Sequence, residues 1–216
     1  TATDEWVPEP GDILHVPPGF AHNGVAVGSD CMTYSVGFRA PSRSDLLGHF
    51  VDDILDGIPD DELYRDPDLA RQANPGEILP DALVRLQQMM LESLSDPASF
   101  ARWFGTFNST PKYADMDWQP ETPVEPEDVR ASINDAVPLL RNPASRMIFI
   151  ANGDDALMLF ADGICFDCVG ETAAVAKILC AQDSVILDAA LASAPAVVDL
   201  LTQLCNMGCI AFESEE

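Results

Sequence analysis

The rhythm of apolar positions changes along the chain. Residues 1–41 read as strands: an acidic stretch Thr1–Pro10, the turn Gly11-Asp12, then Ile13-Leu14-His15-Val16, and after further turn residues the run Cys31–Phe38. Gly-Asp and Pro17-Pro18-Gly19 are turn punctuation, and the β-branched and aromatic run has strand composition. Two or three strands cannot bury a core, so either they pair with another part of this chain or sequence is missing upstream, and a missing N-terminal half is the expectation. From Ser42 the period becomes helical. Leu46, Leu47, Phe50, Val51, Ile54 and Leu55 share one face. Pro59–Asn74 is a polar loop. Pro80 opens a longer helix with Leu83, Leu86, Met89, Met90 and Leu94 on one side, and Asp96-Pro97 starts another carrying Phe100, Trp103, Phe104 and Phe107. This is more apolar surface than one layer hides, which calls for packing on the same chain or on a second copy.

Residues 109–126 interleave Pro111, Pro120, Pro123 and Pro126 with Asp115, Asp117, Glu121 and Glu125, the chemistry of a linker. Beyond it the pattern predicts a helix over Pro126–Asp135, an extended pair about the turn Asn152-Gly153-Asp154-Asp155, and a helix over Thr172–Cys180. The segment Leu187–Ala192, a helix over Pro195–Met207 and a final strand Cys209–Phe212 follow. Helices around a small sheet suggest a winged-helix-like module. The class is α+β, with divisions at 1–41, 42–108, 109–126 and 127–216.

Composition alters the picture chiefly through charge. The 216 residues carry 11 Lys+Arg against 36 Asp+Glu, a net −25. Residues 127–216 hold four basic residues (Arg130, Arg141, Arg146, Lys177) and 14 acidic ones, a net −10. Such a surface repels phosphate backbones and anionic lipid and attracts basic partners. A winged helix that reads DNA carries a basic face; this one reads as a protein-contact module. The same charge also serves solubility. No apolar run is long enough to span a bilayer, and no secretory leader pattern is present, which together read as a cytoplasmic protein.

Six cysteines are present: Cys31, Cys165, Cys168, Cys180, Cys205 and Cys209. Cys165 and Cys168 have C-x-x-C spacing, but lie in a strand-like apolar run. Cys205 and Cys209 are one helical turn apart in another apolar run. A zinc site would need both pairs in matching geometry, so packed thiols are the expectation, with metal or redox chemistry as the alternative.

The stretch with chemical content is Gly11-Asp12-Ile13-Leu14-His15-Val16-Pro17-Pro18-Gly19-Phe20-Ala21-His22. A rigid turn that presents one imidazole suits a metal site in a β-barrel. One histidine is not a site: non-haem iron oxygenases use two His and one carboxylate on one face. On spacing, His22 is either a ligand or a surface histidine. His15, Arg39 and His49 read as structural or surface residues.

GDILHVPPGFAHNG followed by MTYSVGFRAP resembles the second half of the JmjC/cupin double-stranded β-helix barrel of 2-oxoglutarate-dependent ribosomal protein oxygenases, in particular the bacterial arginine hydroxylase type. The order barrel end, helical region, Pro-rich linker, acidic module is similar too. The resemblance implies that His22 is the distal iron ligand, and that Thr33 and Ser35 on the closing strand line the pocket for 2-oxoglutarate. It implies Fe(II) as the metal, 2-oxoglutarate as co-substrate decarboxylated to succinate, and hydroxylation of an unactivated carbon on a basic ribosomal protein. It also implies a homodimer through residues 42–108. The family's H-x-D ligand pair is missing: His15, His22 and His49 are followed at the second place by Pro17, Gly24 and Val51. The chain thus reads as the C-terminal portion of such an enzyme, inactive as it stands. The competing readings are a non-catalytic cupin-like module that dimerises or binds a partner, and a metal-dependent isomerase of the wider cupin class, which would want more His/Glu ligands.

Overall fold

The structure, a computed structural model, describes residues 4–37, 40–59, 63–67, 69, 71–112, 116–192 and 194–213. The chain divides into two compact units, Thr1–Pro41 and Ser42–Glu216.

In the first unit the sequence builds two similar turns. Asp12 N–H donates to the Glu9 carbonyl (3.0 Å) across Pro10-Gly11, and Phe20 N–H to the Pro17 carbonyl (3.4 Å) across Pro18-Gly19. Gly11 and Gly19 have φ of 96° and 85°. Proline second and a positive-φ glycine third is the signature of a type II turn, a conformation that a Cβ would strain. The strands expected at Ile13–Val16 and Cys31–Phe38 are not formed among the described residues. Ile13 is 96% exposed and Tyr34 85%. A strand exists only with a ladder partner, and alternation names a strand without naming its partner. Among the described residues this segment is irregular chain between the two turns. Phe38 and Arg39 lie outside the described residues.

The second unit opens with α1 (Arg43–Gly57), α2 (Pro80–Leu94) and α3 (Pro97–Ser109). Their starts follow capping rules. Ser42 Oγ accepts from Asp45 N–H while the Asp45 carboxylate accepts from Ser42 N–H, a capping box. Asp96 accepts from Ala98 and Ser99 N–H ahead of Pro97 at the first helical position. Those bonds, that from Ser99 Oγ first, hold the Asp96 carboxyl below its ordinary pKa. An aromatic cluster joins α1 to α3: Phe50 meets Trp103 (4.9 Å) and Phe100 (5.2 Å), and Trp103 stacks on Phe107 (5.3 Å). His49 is exposed, as expected, and its ring lies against Phe107 with ring centres 5.1 Å apart.

The remainder is α4 (Pro126–Asn134), β1 (Leu139–Arg141), β2 (Met147–Ala151), β3 (Ala156–Ala161), β4 (Ile164–Val169), α5 (Glu171–Ala181), β5 (Ser184–Val185), α6 (Ala189–Ala192), α7 (Pro195–Asn206) and β6 (Ile210–Phe212). Among the described residues two antiparallel sheets form, ordered β2-β3-β4 and β5-β1-β6. Phe160 faces Ile148 on one side and Cys165 on the other. The β3–β4 turn is Asp162-Gly163, with φ of 46° and 86°, as a two-residue type I′ hairpin requires. Along β3, Leu157, Leu159 and Ala161 enter the core shared with α4, α5 and α7. Phe160, with opposite parity, reaches Gly105 of α3. The β2-β3-β4 sheet is thus covered on both faces, by α3 on one and α5 on the other.

Two further ties hold α3 to this sheet. The Arg102 guanidinium makes two bonds to the Asp167 carboxylate (2.8 and 3.0 Å), and Ser109 Oγ, fully buried, accepts from Gly163 N–H (3.0 Å). The segment 116–125, composed like a linker, lies against the domain. Asn206 Nδ2 donates to the Val124 carbonyl (3.0 Å) while Asn206 Oδ1 accepts from Val124 N–H (2.7 Å). Gly208, φ 73°, passes directly under the Trp118 carbonyl.

Candidate functional site

His22 follows the Pro17–Phe20 turn by two residues. Its Nδ1 lies 3.2 Å from the Phe20 carbonyl oxygen. A carbonyl only accepts, so this contact requires Nδ1–H and leaves Nε2 as the lone-pair nitrogen. A metal-binding imidazole takes the same arrangement, its second nitrogen fixed by a backbone oxygen. The side chain is exposed, as are Thr33 and Ser35 on the later run. The described residues do not bring these three into one site: no hydrogen bond or ring contact links His22 to Thr33 or Ser35.

The donor set decides whether iron fits. Among the described residues no three His, Cys, Asp or Glu side chains are grouped to hold a metal ion. A single imidazole does not hold iron without further ligands.

The C-x-x-C pair is not a metal site either. Residues three apart on a strand point to opposite faces, and β4 obeys this: Cys168 is buried in the core, whereas Cys165 is half-buried beside Arg102 (Nη1–Sγ 3.0 Å). Burial pushes the Cys180 and Cys205 thiols up to about 11 and Cys209 to about 12. They stay protonated and inert at neutral pH. At pH 7.5 a thiol reagent should therefore label the exposed Cys31 first and Cys180, Cys205 and Cys209 only on unfolding, as mass spectrometry of timed samples would show; native labelling of Cys205 at the rate of Cys31 would contradict the packing.

Similarity to known proteins follows the same division of the chain. The JmjC domain model matches residues 1–46, and the ROXA-like winged-helix model matches residues 92–211, more than half of the chain. The chain belongs to the ROXA-like winged-helix family.

The matched span begins ahead of α3, in keeping with a ROXA-like domain that includes the helix covering its sheet. The Escherichia coli ribosomal protein uL16 3-hydroxylase is 38% identical over 155 residues, which is 72% of this chain and 40% of that protein. The X-ray structure of E. coli YcfD superposes with a TM-score of 0.69 at 27% identity, covering 82% of this chain and 46% of that one. A second YcfD structure, of a ribosomal oxygenase in complex with cobalt and 2-oxoglutarate, superposes with a TM-score of 0.66 at 30% identity, over 83% of this chain and 48% of that one. The ROXA-like chain spans about half the length, or less, of the relatives it matches. No helix among its described residues is long and apolar enough to cross a membrane.

Sequence reasoning reached His22 through the turn and the resemblance. It missed Trp118, Asn206 and Gly208, which seat the 116–125 segment. No local signal marks them, since Asn206 meets Val124 across 82 positions.

Proposed function

We propose that this chain is part of an Fe(II)- and 2-oxoglutarate-dependent protein hydroxylase acting on a basic ribosomal protein, at an arginine side chain, in the cytoplasm. The observation that carries this reading is the 38% identity with the uL16 3-hydroxylase, together with the JmjC match over the segment bearing His22. His22 supplies one iron ligand through Nε2. By the family resemblance the remaining ligands are an H-x-D pair, supplied by a part of the whole enzyme that this chain does not cover. Thr33 and Ser35 donate their hydroxyls to a 2-oxoglutarate carboxylate once residues 1–41 are completed as the end of a barrel. The net charge of −25 supports a basic protein substrate and disfavours direct binding to nucleic acid.

The test uses the protein extended to the length of its relatives, with ferrous iron, 2-oxoglutarate and a mixture of ribosomal proteins. A basic ribosomal protein should gain the mass of one oxygen with release of succinate. His22→Ala should abolish both while leaving the melting temperature unchanged. Iron binding without succinate or mass gain would leave a non-catalytic module as the function to explain.

The same reading includes a homodimer through residues 42–108. In one chain α2 has no fully buried side chain, and Leu83, Val84, Met90 and Leu91 are about half exposed or more. Leu83 and Met90, like Val84 and Leu91, are seven residues apart, so they fall in rows along the helix. A second copy covers this face. Sedimentation should show a dimer, and Leu83→Glu with Met90→Glu should give a folded monomer; a wild-type monomer at micromolar concentration would exclude this interface.

A further inference from the structure

The 116–125 segment and the β1–β6 pair enclose a cleft of about 670 Å³ whose walls are largely apolar. Its lining includes Trp118, Pro120 and Val124 from the segment and Leu140, Ile210 and Phe212 from the strand pair. Trp118 remains 52% exposed. The segment is anchored through main chain and neighbours, by Asn206 on Val124 and by the Trp118 carbonyl over Gly208, which leaves the indole free to receive a ligand. The opening is acidic. From Met116 to Asp128 there are five carboxylates and no Lys or Arg, and Asp128 itself lines the cleft. Among the described residues the one cation on the wall, Arg141, is already paired with Asp183.

A third feature selects an extended ligand. Strand β6 is at the edge of its sheet. Its bonds to β1 fall at Cys209 and Glu213, by Asn142 N–H to the Cys209 carbonyl (2.9 Å) and Glu213 N–H to the Pro138 carbonyl (2.9 Å). In an antiparallel pair these positions alternate, so the N–H and C=O of Phe212 point to the outer edge.

We propose that this cleft docks an extended segment of a partner protein in which apolar side chains alternate with arginine or lysine. The apolar side chains enter between Trp118 and Phe212, the basic ones reach Asp117, Glu121 and Asp128 or lie on the indole face, and the main chain adds to β6. This site is independent of the oxygenase reading and needs no metal.

The test is fluorescence anisotropy on the 216-residue chain with three labelled peptides: alternating leucine and arginine, leucine and glutamate, and serine and arginine. The leucine–arginine peptide should bind, more weakly as salt rises, and the other two at least about tenfold more weakly. Trp118→Ala should weaken binding about tenfold or more. Glu121→Lys, at an exposed residue outside the capping bonds of α4, should weaken it about threefold or more. Melting curves accompany both variants; if Trp118→Ala does not melt like the parent chain, Glu121→Lys alone decides. Equal binding of the glutamate or serine peptide would overturn the proposal. So would binding unchanged in both variants, or self-association of the chain that Trp118→Ala abolishes.

Discussion

Gly105→Ala is expected to destabilise the second unit by about 3 kcal/mol, although in a free helix the same change would help. Alanine in place of glycine gains about 1 kcal/mol where a helix is exposed. Here the added Cβ would stand 2.2 Å from Cζ and 2.3 Å from Cε2 of Phe160. Carbon atoms in contact are about 3.5–4.0 Å apart. Phe160 cannot yield: it is fully buried in the middle strand, between Ile148 and Cys165. Either α3 lifts off the sheet or the ring leaves its rotamer. Overpacking of this kind costs about 1–3 kcal/mol and more when the backbone must move, so the loss outweighs the gain. The melting temperature should fall by about 6–12 °C at about 2–4 °C per kcal/mol. Urea denaturation measures it, and Phe160→Leu in the same chain should restore part of the loss. A midpoint unchanged from wild type would refute the close packing of α3.

Gly208→Ala is expected to cost a similar amount by a different route. A φ of 73° strains any L-residue by about 1–2 kcal/mol. The new Cβ would also lie 2.1 Å from the Trp118 carbonyl oxygen and 2.5 Å from its carbon. This neighbour is main chain and cannot rotate away. Moving it pulls on Val124, whose N–H and C=O both bond Asn206, and on the Gly208 carbonyl, which accepts from Asn142 Nδ2 (2.9 Å). A total of about 3 kcal/mol or more follows. Protease cleavage within 116–125 should then become fast, because the segment loses its seat while α7 persists. Slow cleavage at the wild-type rate would show that Gly208 does not carry it.

Helix starts were legible because their signals are local. Pro80, Pro97, Pro126 and Pro195 each stand at the first helical position, and the helical period read from Ser42 begins at the residue that caps α1. The turn at Asn152–Asp155 and the final strand were legible for the same reason, to within a residue or two. The short strands β1 and β5 were not, because three and two residues carry no periodicity. At Ile13–Val16 and Cys31–Phe38 composition is strand-like, yet no ladder forms among the described residues, because composition names a strand and not its partner. Proline and acidic residues made 109–126 look like a linker, yet what seats its second half is an asparagine 82 positions away from Val124. At the candidate site, spacing marked the turn before His22, but only the resemblance gave the imidazole a role. The charge was legible throughout; the cleft beside it was not, since its lining joins Trp118 to Phe212 from distant parts of the chain.

Helix α3 serves two layers at once, the aromatic cluster with α1 and the sheet beneath Phe160. From Ala101 to Ser109 every residue but Arg102 is at least half-buried, and Arg102 is tied to Asp167. Pro97–Ser99 face solvent, and Phe100 behind them is part of the aromatic cluster. A piece of the protein excised at residue 127 would leave Phe160 uncovered and should aggregate, whereas one cut ahead of α3 keeps that wall. In a saturation library Ala98 and Ser99 would accept most side chains, and Phe100 and the positions from Trp103 to Ser109 few, because those side chains are packed between two layers.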